Sequence, residues 1–316
     1  MRKHRAFVLA LACALSNAAA AQTTTDGASS ASQEQWQIPE IVITAKQPGP
    51  VFWKIEQGDS QVLVLGIPDY APIRTGWDQT RFKRLLAAAH EVILPPDLRG
   101  GAVMGEHLKL QGKASLADVL SERAYAKLQT LASDADQPAK KYDGYRPGMA
   151  ALMGRTDSLK ALQVSPTKLT DDIRSVAEDA GVKVRTLKTY DVGKLIGDLA
   201  QFDPSQAAHC LDEAVDDYDF MLSHEAKQAA GWATGDLAEV RDNYEPPAFN
   251  ACLEQSAYYN ASKASAINDI VAAVHTSLGQ KGRTIMVFTL SNLLRTDGAL
   301  AKLKAEGLQI TAPKED

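Results

Sequence analysis

Three short, mainly apolar runs constrain this chain most: "VLVLGI" at residues 62–67, "EVIL" at 91–94 and "TIMVFTL" at 284–290. Runs this short, stopped by Pro or a polar loop, read as strands buried in a sheet rather than as half-exposed strands or long helices. Helical periods lie between them. "WDQTRFKRLLAAAHEVILPPD" carries a helix into the second strand, and Pro95-Pro96 stops that strand. "SLADVLSERAYAKLQTLAS" gives two helices, with Ser115 as the cap of the first and the second starting at Ser121-Glu122. "DDIRSVAEDAGVKVRTLKT" reads as a helix stopped at Gly181, then a strand over 182–187. Residues 204–273 are mainly helical and broken at Gly235, and the last thirty or so read strand, loop, helix (Asp297 cap, Gly307 stop) and strand.

This alternation predicts an α/β fold, a central mixed β-sheet flanked by helices, with a largely helical insertion or cap in the second half. Before the first apolar run, "VFWKIEQGDSQVLVLG" has a hairpin signal at Gln57-Gly58-Asp59. Local signals continue from there onward without a solenoid repeat, so residues 50–316 are expected to form one domain.

The start of the chain reads differently. Arg2, Lys3 and Arg5 precede the apolar run 6–15, and Ala19-Ala20-Ala21 offers a peptidase site. That order predicts a signal peptide over 1–21, cleaved near Ala21, and a protein of the periplasm or one that is secreted. The run is too short to span a bilayer, and no transmembrane segment is expected later. Residues 22–49 open with the polar "QTTTDGASSASQEQWQ" and read as a low-complexity tether. Cleavage leaves 31 Lys and Arg against 39 Asp and Glu, a net charge of −8. An acidic chain without basic clusters argues against nucleic acid as a partner. Two cysteines remain, Cys210 and Cys252, and an exported chain favours a disulfide between them over two buried thiols.

Ligands of open α/β sheets bind beyond the carboxyl ends of the strands. Those ends release Gly66-Ile67-Pro68-Asp69, Pro95-Pro96-Asp97 and Thr289-Leu290-Ser291-Asn292. If the three strands are parallel neighbours, their loops share one rim. The expected cleft is then lined by Gly66, Ile67, Pro68, Asp69, Pro96, Asp97, Thr289, Ser291 and Asn292, with Arg146 as an anion-holding candidate.

Motifs along residues 50–312 carry a resemblance. "PVFWKIEQGDSQVLVLGIPDYAP", "AAHEVILPPDL", "SLADVLSERAYAKL", Tyr145-Arg146-Pro147, "AEDAGVKVRTLKT", "WATGDLAEV" and "TIMVFTLSNLLRTDGALAKLKAEGLQI" follow one another in the order of the TraB/GumN family. That resemblance implies an α/β fold related to Tiki-type proteases and a proposed metal-dependent hydrolysis resting on two G-x-x-H motifs and a glutamate. Carried onto this chain, the first histidine falls on Asp69, the glutamate on Pro95 and the second histidine on Asn292. An aspartate of the later helix falls on Thr170, and Arg146 is kept.

A hydrolytic metal needs about three protein donors and an open position. Proline's side chain has no lone pair, and a neutral amide oxygen poorly matches a borderline-soft ion. The reading is therefore a pseudoenzyme without catalytic residues, metal or cofactor. It would bind an envelope glycan, peptide or protein. The alternative is a metal-dependent hydrolase, peptidase or esterase, with Asp69, Asp97 and Arg146 as a rebuilt set around a weakly bound divalent cation.

Other candidates have blander readings. The histidines show no H-x-x-x-H pair, and His224-Glu225 reads as a surface pair. "DEAVDDYD" at 212–219 lacks the glycine and closing glutamate of an EF-hand loop, so Asp212, Asp216 and Asp219 are read as a solvated helix face. No nucleophile elbow surrounds Ser291. Trp53, Trp77 and Trp232 read as core.

Overall fold

The computed structural model describes residues 49–100, 105–112 and 114–313. The expected signal peptide over 1–21 and nearly all of the tether lie outside them. The described residues cluster as one compact unit. Its elements run β1 (Phe52–Gln57), β2 (Ser60–Ile67), β3 (Ala71–Pro72), α1 (Thr80–Leu86), β4 (Ala89–Leu94) and β5 (Asp97–Arg99). Next come α2 (Leu116–Val119), α3 (Glu122–Asp134), α4 (Pro147–Ala161), β6 (Val164–Ser165), α5 (Lys168–Asp179), β7 (Lys183–Thr186) and β8 (Thr189–Asp191). The chain continues with α6 (Gly193–Gln201), α7 (Pro204–Thr234), α8 (Leu237–Asp242), α9 (Phe249–Leu253) and α10 (Ala257–Leu278). It ends with β9 (Gly282–Thr289), α11 (Leu290–Leu294), α12 (Ala299–Ala305) and β10 (Ile310–Thr311).

Six strands form a mixed sheet in the order β10-β1-β2-β9-β4-β7. The hairpin β1–β2 turns at Gly58, whose φ of +57° lies in the left-handed region that glycine enters without steric cost. The three apolar runs supply β2, β9 and β4, which are parallel neighbours with β9 in the middle. Side chains alternate across a strand, so an apolar run fills two cores at once. Leu63, Leu65, Ile67, Val92, Leu94, Ile285 and Val287 face Phe82, Leu86, Leu169, Ile173 and Trp232. Val62, Val64, Ile93, Met286 and Phe288 face Ile267, Ile270, Val274 and Leu303 of α10 and α12. Each such side chain stabilises the fold by roughly 1.5–3 kcal/mol through burial.

A helical body has its own core, including Leu128, Leu131, Ala150, Leu211, Ala214 and Phe249. It is built around α7, 31 residues long, which starts at an Asp203–Gln206 capping box with Pro204 at its first position. It stops at Gly235, whose φ is +80°. The expected helical cap of the second half is present, and it also recruits α2, α3 and α4 from the first half. Cys210 of α7 and Cys252 of α9 are joined by a disulfide. Among the described residues, no helix is long and apolar enough to cross a membrane.

Three local expectations are corrected. Asp297 does not cap α12; it accepts a charge-assisted bond from Arg295 Nε at 2.9 Å, and the N-cap position is Gly298, which has no side chain to cap the helix. Glu225 is not a surface residue paired with His224. It is buried without a hydrogen bond at Oε1, and burial pushes its carboxyl up to about 8. The acidic stretch of α7 is only partly a solvated face: Asp216 and Asp219 are exposed and Asp212 half-buried, but Asp217 is buried against Arg155.

Candidate functional site

A pocket of about 280 Å³ opens where β2 and β9 end, roofed by the helical body. The strand-end loops bring Asp69 and Tyr70 after β2, and Thr289, Ser291 and Asn292 after β9. Leu98 reaches the rim from β5, beyond β4. From the helical side come Arg155 of α4, Phe249, Asn250 and Leu253 of α9, Tyr259 and Lys263 of α10, and Arg295 after α11. The register that places these ends together is fixed by Gly66 opposite Phe288 and Ile67 opposite Thr289.

Asp69 faces Ser291 directly. The Ser291 hydroxyl donates to Asp69 Oδ1, and the Ser291 backbone N–H donates to Oδ2 at 3.3 Å. Burial pushes the Asp69 carboxyl up to about 6, against the opposing pull of the Ser291 hydroxyl and amide. Thr289 Oγ1 lies 3.2 Å from Ser291 Oγ and accepts from Asn292 Nδ2 at 3.0 Å. This wall is thus a closed chain of hydrogen bonds between the two strand-end loops.

The opposite wall is cationic and aromatic. Arg155 donates from Nε to Asp217 at 2.6 Å and from a terminal nitrogen to Tyr70 Oη at 2.9 Å. Its guanidinium lies 4.8 Å from the centre of the Phe249 ring and 5.3 Å from that of Tyr70. Desolvation opposes its charge, but Tyr70 and Asp217 together raise its pKa above the ordinary arginine value. Lys263 pairs with Glu254 at 2.5 Å and sits 5.5 Å from the Tyr259 ring centre. Arg295 lies 3.7 Å from the same Glu254 oxygen. Tyr259 donates to Asn250 Oδ1 at 3.1 Å, and burial, aided by Glu254, pushes its phenol up to about 12.

The residues singled out in the sequence separate into groups. Asp69, Thr289, Ser291 and Asn292 share the pocket. Gly66, Ile67 and Pro68 are buried beneath it, and Gly66 also borders a second, apolar pocket of about 410 Å³ beside Trp53 and Trp232. Trp232 Nε1 donates to the Gly66 carbonyl at 2.7 Å, which anchors the end of β2. Pro95 and Pro96 are half-buried after β4. Asp97 is exposed in β5 and accepts from Arg99 Nε at 3.2 Å. Arg146 precedes α4, bonded through its backbone N–H to the Leu108 carbonyl at 2.9 Å, with its Nε buried and unpartnered. Neither Asp97 nor Arg146 is among the residues lining the pocket with Asp69.

The donor set does not fit a hydrolytic metal. Both Asp69 oxygens accept from Ser291, Asn292 offers only a neutral amide, and among the described residues no His, Cys or Glu lines the pocket. Among the described residues, no three His, Cys, Asp or Glu side chains come together as a metal cluster.

Sequence reasoning missed Arg155, Tyr259, Lys263 and Arg295. The first sits in a small-residue helix, "AALMGRTDSL", where one arginine among apolar neighbours was a usable signal of a buried ion pair. Tyr259 and Lys263 share one face of α10 four residues apart, a spacing that marks them as neighbours but not as part of a site, and Arg295 lies far from them in sequence.

No curated protein and no solved structure matches the chain. A family model does, over residues 51–312, a range that includes every residue lining this pocket. The chain belongs to the TraB/PrgY/gumN family.

Proposed function

We propose that this is an exported member of its family that has lost the hydrolytic centre and acts in the cell envelope by binding. One observation carries this reading. The residue standing where the family resemblance puts its first histidine, Asp69, has both carboxylate oxygens committed to Ser291. A carboxylate held this way is a structural bridge between two strand-end loops. Pro95 and Asn292 complete a set with too few donors to hold a divalent ion against water. The basic and apolar start of the sequence and the Cys210–Cys252 bridge support export.

The test is metal analysis of the purified mature protein together with peptidase and esterase profiling. Substoichiometric metal and no hydrolysis are expected. Stoichiometric Mn, Zn or Co accompanied by hydrolysis overturns the reading.

A second reading, an active hydrolase, is favoured by one feature: the Asp69 carboxyl is raised to about 6, within the range useful for proton transfer near neutrality. Asp69→Ala separates the two. An abolished hydrolytic activity would establish the second reading, and no change in any activity removes it.

A further inference from the structure

The pocket lining sets three basic side chains, Arg155, Lys263 and Arg295, against one carboxylate, Asp69. Lys263 has three ammonium hydrogens, and its one hydrogen bond goes to Glu254. Arg295 holds Asp297 through Nε, with Nη2 at 3.5 Å from the same carboxylate and Nη1 too far from Glu254 for a hydrogen bond. Asn250 uses its carbonyl oxygen to accept from Tyr259, leaving its amide hydrogens unengaged. On the acceptor side, each Asp69 oxygen already takes a hydrogen bond from Ser291. The carboxylates that balance these cations, Asp217, Glu254 and Asp297, do not line the pocket. The surface presented to a guest is therefore cationic and donor-rich, set between the rings of Tyr70, Phe249 and Tyr259.

From this we infer that the pocket is a receptor site for a small free organic monocarboxylate, its carboxylate held by Lys263, Arg295 and Asn250 and its body resting against the aromatic side chains. The inference deepens the binding reading above and rests on it. The volume of about 280 Å³ lies near the lower limit of small-molecule sites and fits a guest the size of a sugar acid or a single acylated amino acid. A carboxylate suits the site because charge-assisted bonds to Lys and Arg are about twice as strong as neutral ones. A neutral guest of the same shape would leave those donors unpaired.

Calorimetry on the full mature protein, stripped with EDTA, tests this with matched pairs: galacturonate against galactose, N-acetylphenylalanine against its amide, and benzoate against benzamide. At least one acid is expected to bind about tenfold or more tightly than its neutral partner. Lys263→Met and Arg295→Met should each remove that preference, while Lys263→Arg should keep it and thereby separate lost charge from lost folding. Which acid ranks first reports the chemistry of the body. No binding by any acid, equal binding of acid and neutral partner, or a preference untouched in both Met variants overturns the ligand class. The non-catalytic reading fails separately, through the metal and hydrolysis measurements above, which do not depend on this panel.

Discussion

Ser291 meets Asp69 with both its hydroxyl and its backbone N–H, across 222 positions of sequence. The bond ties the loop after β2 to the loop after β9, at the place where family resemblance leads one to look for a metal ligand. It also sets up a pH dependence. Folding raises the Asp69 carboxyl from 3.8 to about 6, so the folded state favours the protonated form. The stabilisation this gives is complete below about pH 4 and is lost as pH climbs through 6. The charged and titratable groups near this carboxyl include Tyr244, Tyr259 and Arg295. Asp69→Asn keeps one of the two acceptors for Ser291, at a cost that does not vary with pH, and removes the titration. Urea unfolding should show the variant gaining on the parent between pH 4 and 7.5, by on the order of 3 kcal/mol at most. Parallel pH profiles for the two proteins would refute this.

Asp217→Ala leaves Arg155 charged and without its carboxylate inside the helical body. Breaking one side of a buried ion pair costs about 3–5 kcal/mol, far more than an exposed pair such as Lys281–Asp59 contributes. Chemical denaturation should place the Asp217→Ala midpoint well below that of Lys281→Ala. Similar midpoints would mean that Arg155 finds another partner.

The Cys210–Cys252 bridge closes a sequence separation of 42 residues. Chain entropy gives such a loop about 4 kcal/mol of stabilisation. Because Cys252 lies on α9 between the pocket residues Asn250 and Leu253, its loss also loosens one wall of the site. The double variant Cys210→Ser with Cys252→Ser should unfold earlier in urea and bind any pocket ligand more weakly. Reduction of the parent should reproduce both effects.

Gly148 opposes two rules. Helix propensity favours alanine over glycine by about 1 kcal/mol. A Cβ at this position, however, would stand 2.3 Å from the Leu199 carbonyl oxygen, which is backbone and cannot swing aside. Overpacking of this kind costs roughly 1–3 kcal/mol, so the steric term wins. Gly148→Ala should lower the melting temperature, whereas Gly197→Ala, with open space at its Cβ, should not.

The sheet was readable because each of its principal strands is a local apolar run, and the stops at Pro95, Gly181 and Gly235 are local backbone chemistry. Half of the pocket was readable for the same reason: Asp69, Ser291 and Asn292 lie just beyond strand ends. The other half depends on how helices dock on those ends, which no short stretch encodes. Asp217 is an instructive miss. It falls on the same helical face as Cys210, Ala214 and Met221, all buried, so the period of α7 pointed inward even though the composition around it is acidic.

The position of β9 between β2 and β4 has a consequence for how the protein matures. The last long strand of the sequence is the keystone of the sheet, so β2 and β4 have no shared partner until residues 282–289 are available. A chain emerging from its N-terminus therefore stays without an assembled pocket until nearly all of it has been delivered. Any nascent chain interrupted before that strand leaves two apolar ribbons exposed to aggregation.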